Sequence, residues 1–302
     1  MIYGKINNYR GRFSPSPTGP LHFGSLIAAL GSYLDAKQHN GKWLVRIEDL
    51  DTPRTVPGAA DTILHTLEKI GLYWDETVIY QSCRTAEYDI ALHKLNSIGK
   101  AYLCACTRKE IADSTLHGIE GQVYPGTCRK GLPEGRQGRA WRVLTDNFAI
   151  EFDDVLQGYI MQRLENDMGD FVVKRADGLF AYQLAVVVDD AFQHITHVVR
   201  GADLLTSTPR QIYLQHLLGL PTPNYLHLPV VTNLQGEKLS KQTLAKPIDT
   251  TLPSELLLSA LRFMQQNPPE ELSDYDATSI LDWAVNNWDC EALNQVKIIR
   301  YC

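Results

Sequence analysis

The stretch from Arg10 to Ile47 limits the fold more than any other part of this sequence. Arg10 to Phe13 reads as a short strand. Ser14-Pro15-Ser16-Pro17-Thr18-Gly19-Pro20 has to be irregular, because each proline fixes φ and removes a backbone donor. Leu26, Leu30 and Leu34 then recur at helical spacing from Gly24 until Asn40-Gly41, and Trp43 to Ile47 reads as a second strand. Strand, loop, helix and strand in so short a span form a βαβ unit, which demands parallel strands and a right-handed crossover. The expectation is an α/β protein with a doubly wound parallel sheet, whose ligands collect at the carboxyl ends of the strands.

Two more helices follow. One is marked by Ile63, Leu64, Leu67 and Ile70 and closed by Gly71; the other by Ala91, Leu92, Leu95 and Ile98 and closed by Gly99. Residues 101–170 break the pattern with Cys, Gly and Arg and short β-like runs such as Trp141 to Leu144, which makes them an insertion. The α/β pattern resumes at Ala181 to Val188 and at His197 to Val199. Thr208-Pro209-Arg210-Gln211 then opens a helix, with Thr208 as its cap, Pro209 at the first helical position and Gln211 completing a capping box. Beyond Pro247 only helix is expected, with Leu256, Leu257, Ala260, Leu261 and Met264 on its apolar face. The division is therefore 1–100 and 171–247 as the halves of one α/β domain, 101–170 inserted, and 248–302 as a short helical region. Met1 to Arg10 has no apolar run of a secretory signal, and Leu26 to Leu34 and Leu179 to Val188 are too short to span a bilayer. The expected location is the cytoplasm, with no membrane partner.

A net charge of −6 argues against general nucleic-acid coating, yet a local basic surface is compatible with it. Arg129, Lys130, Arg136, Arg139 and Arg142 crowd together, opposed there only by Glu134. They form either an RNA-facing surface or a solvated loop, and charge alone does not decide. Cys83, Cys290 and Cys302 are scattered, whereas Cys104, Cys106 and Cys128 cluster. A C-x-C pair with a third thiolate suits one tetrahedral zinc ion, with His117 the chemically ordinary fourth ligand; three free thiols are the alternative.

His22 and Gly24 fall where a helix begins, so unpaired N–H groups and the positive dipole end meet any anion there. No G-x-G-x-x-G is present, and Gly19 to Gly24 lacks the Lys-Ser/Thr of a P-loop. By itself His22 reads equally as a structural cap. Far downstream, Lys238 and Lys241 lie three apart after a turn, a spacing that suits a polyphosphate but is common on surfaces. Arg12, Glu48 and Arg200 lie at predicted strand ends, where arginine forks match carboxylates and Glu48 matches an ammonium group. Arg46, Glu48 and Asp49 read equally as surface ion pairs, and Tyr182 as a core tyrosine.

Taken together, Pro15-Ser16-Pro17-Thr18-Gly19-Pro20-Leu21-His22-Phe23-Gly24-Ser25 and Lys238-Leu239-Ser240-Lys241-Gln242 resemble the two signatures of class I aminoacyl-tRNA synthetases in their glutamyl form. Arg46-Ile47-Glu48-Asp49-Leu50-Asp51-Thr52-Pro53-Arg54 and Val199-Arg200-Gly201-Ala202-Asp203-Leu204-Leu205 are similar to further glutamyl-synthetase segments. Ser25 and Gln242 depart from the signatures at their last positions and leave both lysines intact. The resemblance runs from Arg10 to Pro247. It implies a Rossmann-like class I fold that uses ATP with Mg2+ to activate L-glutamate as glutamyl-adenylate. It implies that Arg12, Ser14, Glu48, Tyr182 and Arg200 hold glutamate, that His22, Gly24 and Lys241 hold ATP, and that His22, Lys238 and Lys241 are catalytic.

Too few residues follow Pro247 for an anticodon-reading module. That layout, with the Cys/Tyr pattern, most resembles glutamyl-queuosine tRNA(Asp) synthetases. This implies Tyr124 as the fourth ligand of one structural zinc, and transfer of glutamate to the queuosine of the tRNA(Asp) anticodon stem-loop. A truncated enzyme charging the 3′ end and a non-catalytic glutamate sensor are the competing expectations.

Overall fold

The alternation of β2 (Lys42–Ile47) sets the architecture: Trp43, Val45 and Ile47 enter one buried cluster, while Leu44 enters a second. The structure, a computed structural model, describes residues 9–112, 117–118, 121–233, 235–238 and 246–301. β1 (Arg10–Phe13) pairs with β2 in parallel, Arg12 opposite Leu44, and β3 (Ile79–Tyr80) continues the parallel sheet on the other side of β2. Beside β1 runs β11 (His197–Gly201), with the Thr196 N–H donating to the Arg10 carbonyl at 3.0 Å, and β12 (Asn224–Leu228) pairs with β11 in parallel.

Helices cover both faces. α1 (Phe23–Gln38) and α2 (Ala59–Lys69) enclose the first cluster together with α8 (Pro253–Phe263) and α9 (Ala277–Asn287). α3 (Thr85–Ser97), α6 (Tyr182–Phe192) and α7 (Thr208–Leu218) enclose the second. This is the doubly wound α/β arrangement expected from the first βαβ unit. α1 runs close to the sheet at Gly31, where a Cβ would lie 2.6 Å from Cδ1 of Leu228, so a side chain there requires Leu228 to move. Gly71, with φ of 81°, ends α2 as its spacing suggested: the Leu72 N–H reaches back to the Leu67 carbonyl at 2.9 Å.

The segment after α3 contains β4 (Ala101–Cys104), α4 (Arg108–Ala112), the short pair β5 (His117–Gly118) and β6 (Gly121–Gln122), and β7 (Ala140–Val143). β4, β7 and β10 (Val172–Lys174) form an antiparallel sheet of their own. The hairpin β8 (Ala149–Asp154) and β9 (Gly158–Arg163), followed by α5 (Leu164–Asp167), instead attaches to β12 through Asp154 opposite Tyr225.

Two local expectations need correction. Thr208 does not cap α7. A 3-10 turn over Ala202–Ser207 carries the chain into it, so Ser207 is the cap, Thr208 is already helical, and Gln211 bonds Gln183 rather than closing a capping box. The region beyond Pro247 is not purely helical either: β13 (Val230–Thr232) pairs in parallel with β14 (Ile298–Arg300), and Tyr301 stacks on Phe23 at a centroid distance of 4.0 Å. Among the described residues, no helix is long and apolar enough to cross a membrane.

Candidate active site

A cleft of about 880 Å³ opens where the carboxyl ends of β1 and β11 meet the N-terminus of α1, with β13 along one side. Arg12, Ser14, His22, Gly24, Tyr182, Arg200 and Lys238 all line it. The stretch Ser14–Pro20 has no regular structure, so it bends from β1 around the mouth to α1. Lys241 lies outside the described residues. Of the described residues near it in sequence, Lys238 lines the cleft, and Pro247 forms a β-bridge with His22.

Arg12 is 3% exposed and lies against Asp190, its Nε 3.2 Å from Oδ1 and its Nη2 3.4 Å from Oδ2. The same Oδ1 accepts from Nη1 of Arg46 at 2.7 Å. Burial alone would raise the Asp190 carboxyl, but the two guanidinium groups outweigh it and hold the pKa below the usual aspartate value. Arg46 is fully buried, and its Nη2 lies 3.3 Å from Oε1 of Glu48. The surface ion-pair reading of Arg46 and Glu48 is therefore overturned. Alternation along β2 turns Arg46 onto the α6 side, where Asp190 and Gln193 receive it. Asp49 does remain at the surface, accepting from Ser82. Burial pushes the Glu48 carboxyl up, with Arg46 and Arg12 opposing it only in part. Glu48 lies behind the lining, next to the arginine pair.

Arg200, 4% exposed, is gripped on several sides. Its Nε donates to Nε2 of His227 at 3.0 Å, Nη1 to the Tyr182 hydroxyl at 3.2 Å, and Nη2 to Oγ1 of Thr208 at 2.8 Å and the Leu204 carbonyl at 3.5 Å. A guanidinium has five N–H donors. The remaining one, on Nη1, has no acceptor among the described residues and sits on the Tyr182 side of the cleft. Ser14 Oγ is buried without a partner, a polar atom at the lining that a ligand would satisfy.

His22 proves to be both cap and lining residue. Its Nδ1 accepts from the Ser25 N–H at 3.2 Å, while Ser25 Oγ accepts from the His22 N–H at 2.8 Å, a capping box that gives Ser25 its use. With Nδ1 accepting, the neutral ring carries its proton on Nε2. Lys238 is paired with Asp203, which joins the second signature to the Val199–Leu205 segment.

At the end of β4 and in the stretch before β7, the sulfurs of Cys104, Cys106 and Cys128 lie within 4.8 Å of one another. Cys106 and Cys128 are 3.8 Å apart, and the Tyr124 hydroxyl is 3.4 Å from Cys104 and 3.7 Å from Cys106. A tetrahedral ion with metal–sulfur bonds of about 2.3 Å sets sulfur–sulfur edges of about 3.8 Å, so the donor set fits a metal ion with the phenol oxygen at its fourth corner. The Cys128 N–H donates to that oxygen at 2.8 Å, and the Arg142 guanidinium covers the tyrosine ring at 3.9 Å. The side chain of His117 lies outside what the structure describes. The basic cluster divides: Arg129 is tied to Asp170 and Glu165, the exposed Arg136 to Glu110, and Arg142 is buried, while Lys130 and Arg139 are exposed outside these pairs.

The model of the class I tRNA synthetase (E and Q) catalytic domain matches residues 8–256. A glutamyl-Q tRNA(Asp) synthetase of Dechloromonas aromatica is 58% identical over 293 residues, covering 96% of this chain and 97% of that one. A protein of the same name from Chromobacterium violaceum is 56% identical over 280 residues, 93% of each chain. The chain belongs to the glutamyl-Q tRNA(Asp) synthetase family. It is thus an aminoacyl-tRNA synthetase-type ligase. Its fold is shared with a glutamate tRNA ligase from Elizabethkingia meningosepticum solved with its amino acid (TM-score 0.79, 26% identity, 98% of this chain and 67% of that one).

Sequence reading missed Asp190, which holds Arg12, and His227, which is held by Asp154 and in turn meets Arg200. One signal for Asp190 was available. Asp189-Asp190 interrupts an apolar helical run, and buried carboxylates in such a run require cationic partners. No comparable signal marked His227.

Proposed function

We propose that this enzyme activates L-glutamate with ATP and transfers it to the queuosine base at the wobble position of tRNA(Asp), working in the cytoplasm. The observation that carries the reading is the single cleft shared by Arg12, Ser14, Tyr182 and Arg200 on one side and by His22, Gly24 and Lys238 on the other. Its volume lies in the upper part of the range for small-ligand sites.

In this reading the glutamate carboxylates meet the remaining donors of Arg12 and Arg200. Because the Tyr182 oxygen accepts from Arg200, its own O–H is left to donate alongside the last Nη1 proton. Ser14 supplies a further hydroxyl, and Glu48 faces the α-ammonium, whose charge favours the ionised form that burial disfavours. The α-carboxylate attacks the α-phosphorus of ATP in line. A bond forms from carboxylate oxygen to phosphorus, and the bond to the pyrophosphate oxygen breaks, giving glutamyl-adenylate. No protein nucleophile is needed, so the chain contributes position and charge stabilisation. The N-terminus of α1, Gly24 and the Nε2–H of His22 bind phosphate oxygens, Lys241 takes the charge building on them, and Lys238 anchors the loop. Mg2+ arrives with ATP as its counter-ion.

Cys104, Cys106, Cys128 and Tyr124 are assigned one structural zinc, which cross-links the inserted sheet. We assign residues 101–170, with Lys130 and Arg139 exposed, to contact with the anticodon stem-loop, and residues 1–100 and 171–247 to the catalytic domain. Glutamate-dependent exchange of pyrophosphate into ATP tests the activation step. It should be lost in Lys241→Ala while the folded structure persists, and near-normal exchange in that variant would refute the assignment.

A further inference from the structure

Behind Arg200 lies a buried chain of polar groups that the reaction does not touch. His227 is fully buried, and Asp154, at the end of β8, is 3% exposed. Nδ1 of His227 is 2.6 Å from Oδ2 of Asp154, and Nε2 is 3.0 Å from Nε of Arg200. An arginine Nε can only donate, so Nε2 must carry a lone pair and the ring proton must sit on Nδ1, donating to the carboxylate. Burial lowers the His227 pKa to about 4, which keeps the ring neutral near pH 7 and its acceptor available. Asp154 is itself fixed, since Oδ1 accepts from the N–H groups of Leu156, Gln157 and His227 at 3.1, 2.9 and 3.2 Å.

The geometry points to Asp154 and His227 as positioning residues for glutamate recognition: the carboxylate selects the imidazole tautomer that offers Nε2 to Arg200, and this turns the guanidinium toward Tyr182 and the cleft. The inference rests on the glutamate reading given above. Its sharp consequence lies in Asp154→Asn. Three backbone N–H groups hold the side-chain oxygen at the Oδ1 position, so the new amide NH2 must face Nδ1 of the ring. Nδ1 then becomes an acceptor, the ring proton moves to Nε2, and Nε2–H confronts the Nε–H of Arg200, donor against donor. His227→Phe removes the acceptor while keeping a ring, whereas His227→Gln returns an acceptor at the place of Nε2.

The test measures the KM for glutamate and for ATP in pyrophosphate exchange, together with the 15N NMR signature of the His227 ring. Losing a hydrogen bond to a charged group corresponds to about a tenfold or larger change. Asp154→Asn and His227→Phe should raise the glutamate KM by at least about tenfold with the ATP KM unchanged, and His227→Gln should stay close to the parent. The ring proton should move from Nδ1 to Nε2 in Asp154→Asn. An unchanged glutamate KM in both disruptive variants, equal losses for glutamate and ATP, or Nδ1 still protonated in Asp154→Asn would overturn the inference. A parent enzyme with no glutamate-dependent exchange would refute the functional reading instead; the NMR signature would still decide whether Asp154 orients the ring.

Discussion

Replacing Asp190 by Asn should destabilise the fold by about 3 kcal/mol while barely altering its shape. Asp190 is the carboxylate between Arg12 and Arg46, whose side chains are 3% and 0% exposed, so the change strands two buried cations. Removing one partner of a buried pair costs about 3–5 kcal/mol. Glu48, 3.3 Å from Nη2 of Arg46, supplies part of the missing charge, which puts the effect at the lower end. For a chain of this size each kcal/mol lowers the melting temperature by about 1.5–2 °C, so the variant should melt about 5 °C lower. Thermal unfolding followed by circular dichroism at pH 7.5, with urea midpoints as a second measure, reads the change. Adding Arg46→Met to Asp190→Asn removes the deeper stranded cation and should restore much of the loss. A melting temperature within about 2 °C of the parent would show that Asp190 does not balance the two arginines, and the charge argument behind the cleft would fail.

Other predictions follow from the same structure. His227 titrates near 4 in the fold against 6.5 in the unfolded chain. Its contribution is therefore complete above pH 6.5 and is lost as pH falls toward 4, a drop of about 3 kcal/mol that His227→Gln should lack in urea titrations. Because burial raises the Glu48 pKa, the glutamate KM should climb on the acid side at a pH above the ordinary carboxylate range, and Glu48→Gln should abolish that limb in pH-resolved exchange assays. Elemental analysis should find one zinc per chain, absent when Cys106 is replaced by Ser. Tyr124→Phe should weaken zinc binding by about tenfold or more in competition with a chelator.

The first βαβ unit was legible because Leu26, Leu30 and Leu34 and the proline-rich turn are strong local signals, and packing did not override them. β14 was not, since three residues show no period, and their strand form comes from pairing with Val230–Thr232. The Thr208 cap was misplaced because a threonine before a proline looks the same whether it precedes a helix or already belongs to one. In fact the hydroxyl of Thr208 serves Arg200. At the cleft, Arg12, Ser14, His22, Gly24, Tyr182, Arg200 and Lys238, which line it, were readable through their motifs. The residues that hold them were not: Asp190, Asp154 and His227 come from distant elements, and only the folded chain brings them behind Arg12 and Arg200.

The most direct test of the account is to incubate the enzyme with labelled glutamate, ATP and tRNA bearing queuosine, then digest the RNA and locate the label. The account predicts label on the nucleotide at the wobble position of tRNA(Asp), and none when queuosine is absent. Label on the 3′-terminal adenosine would contradict it.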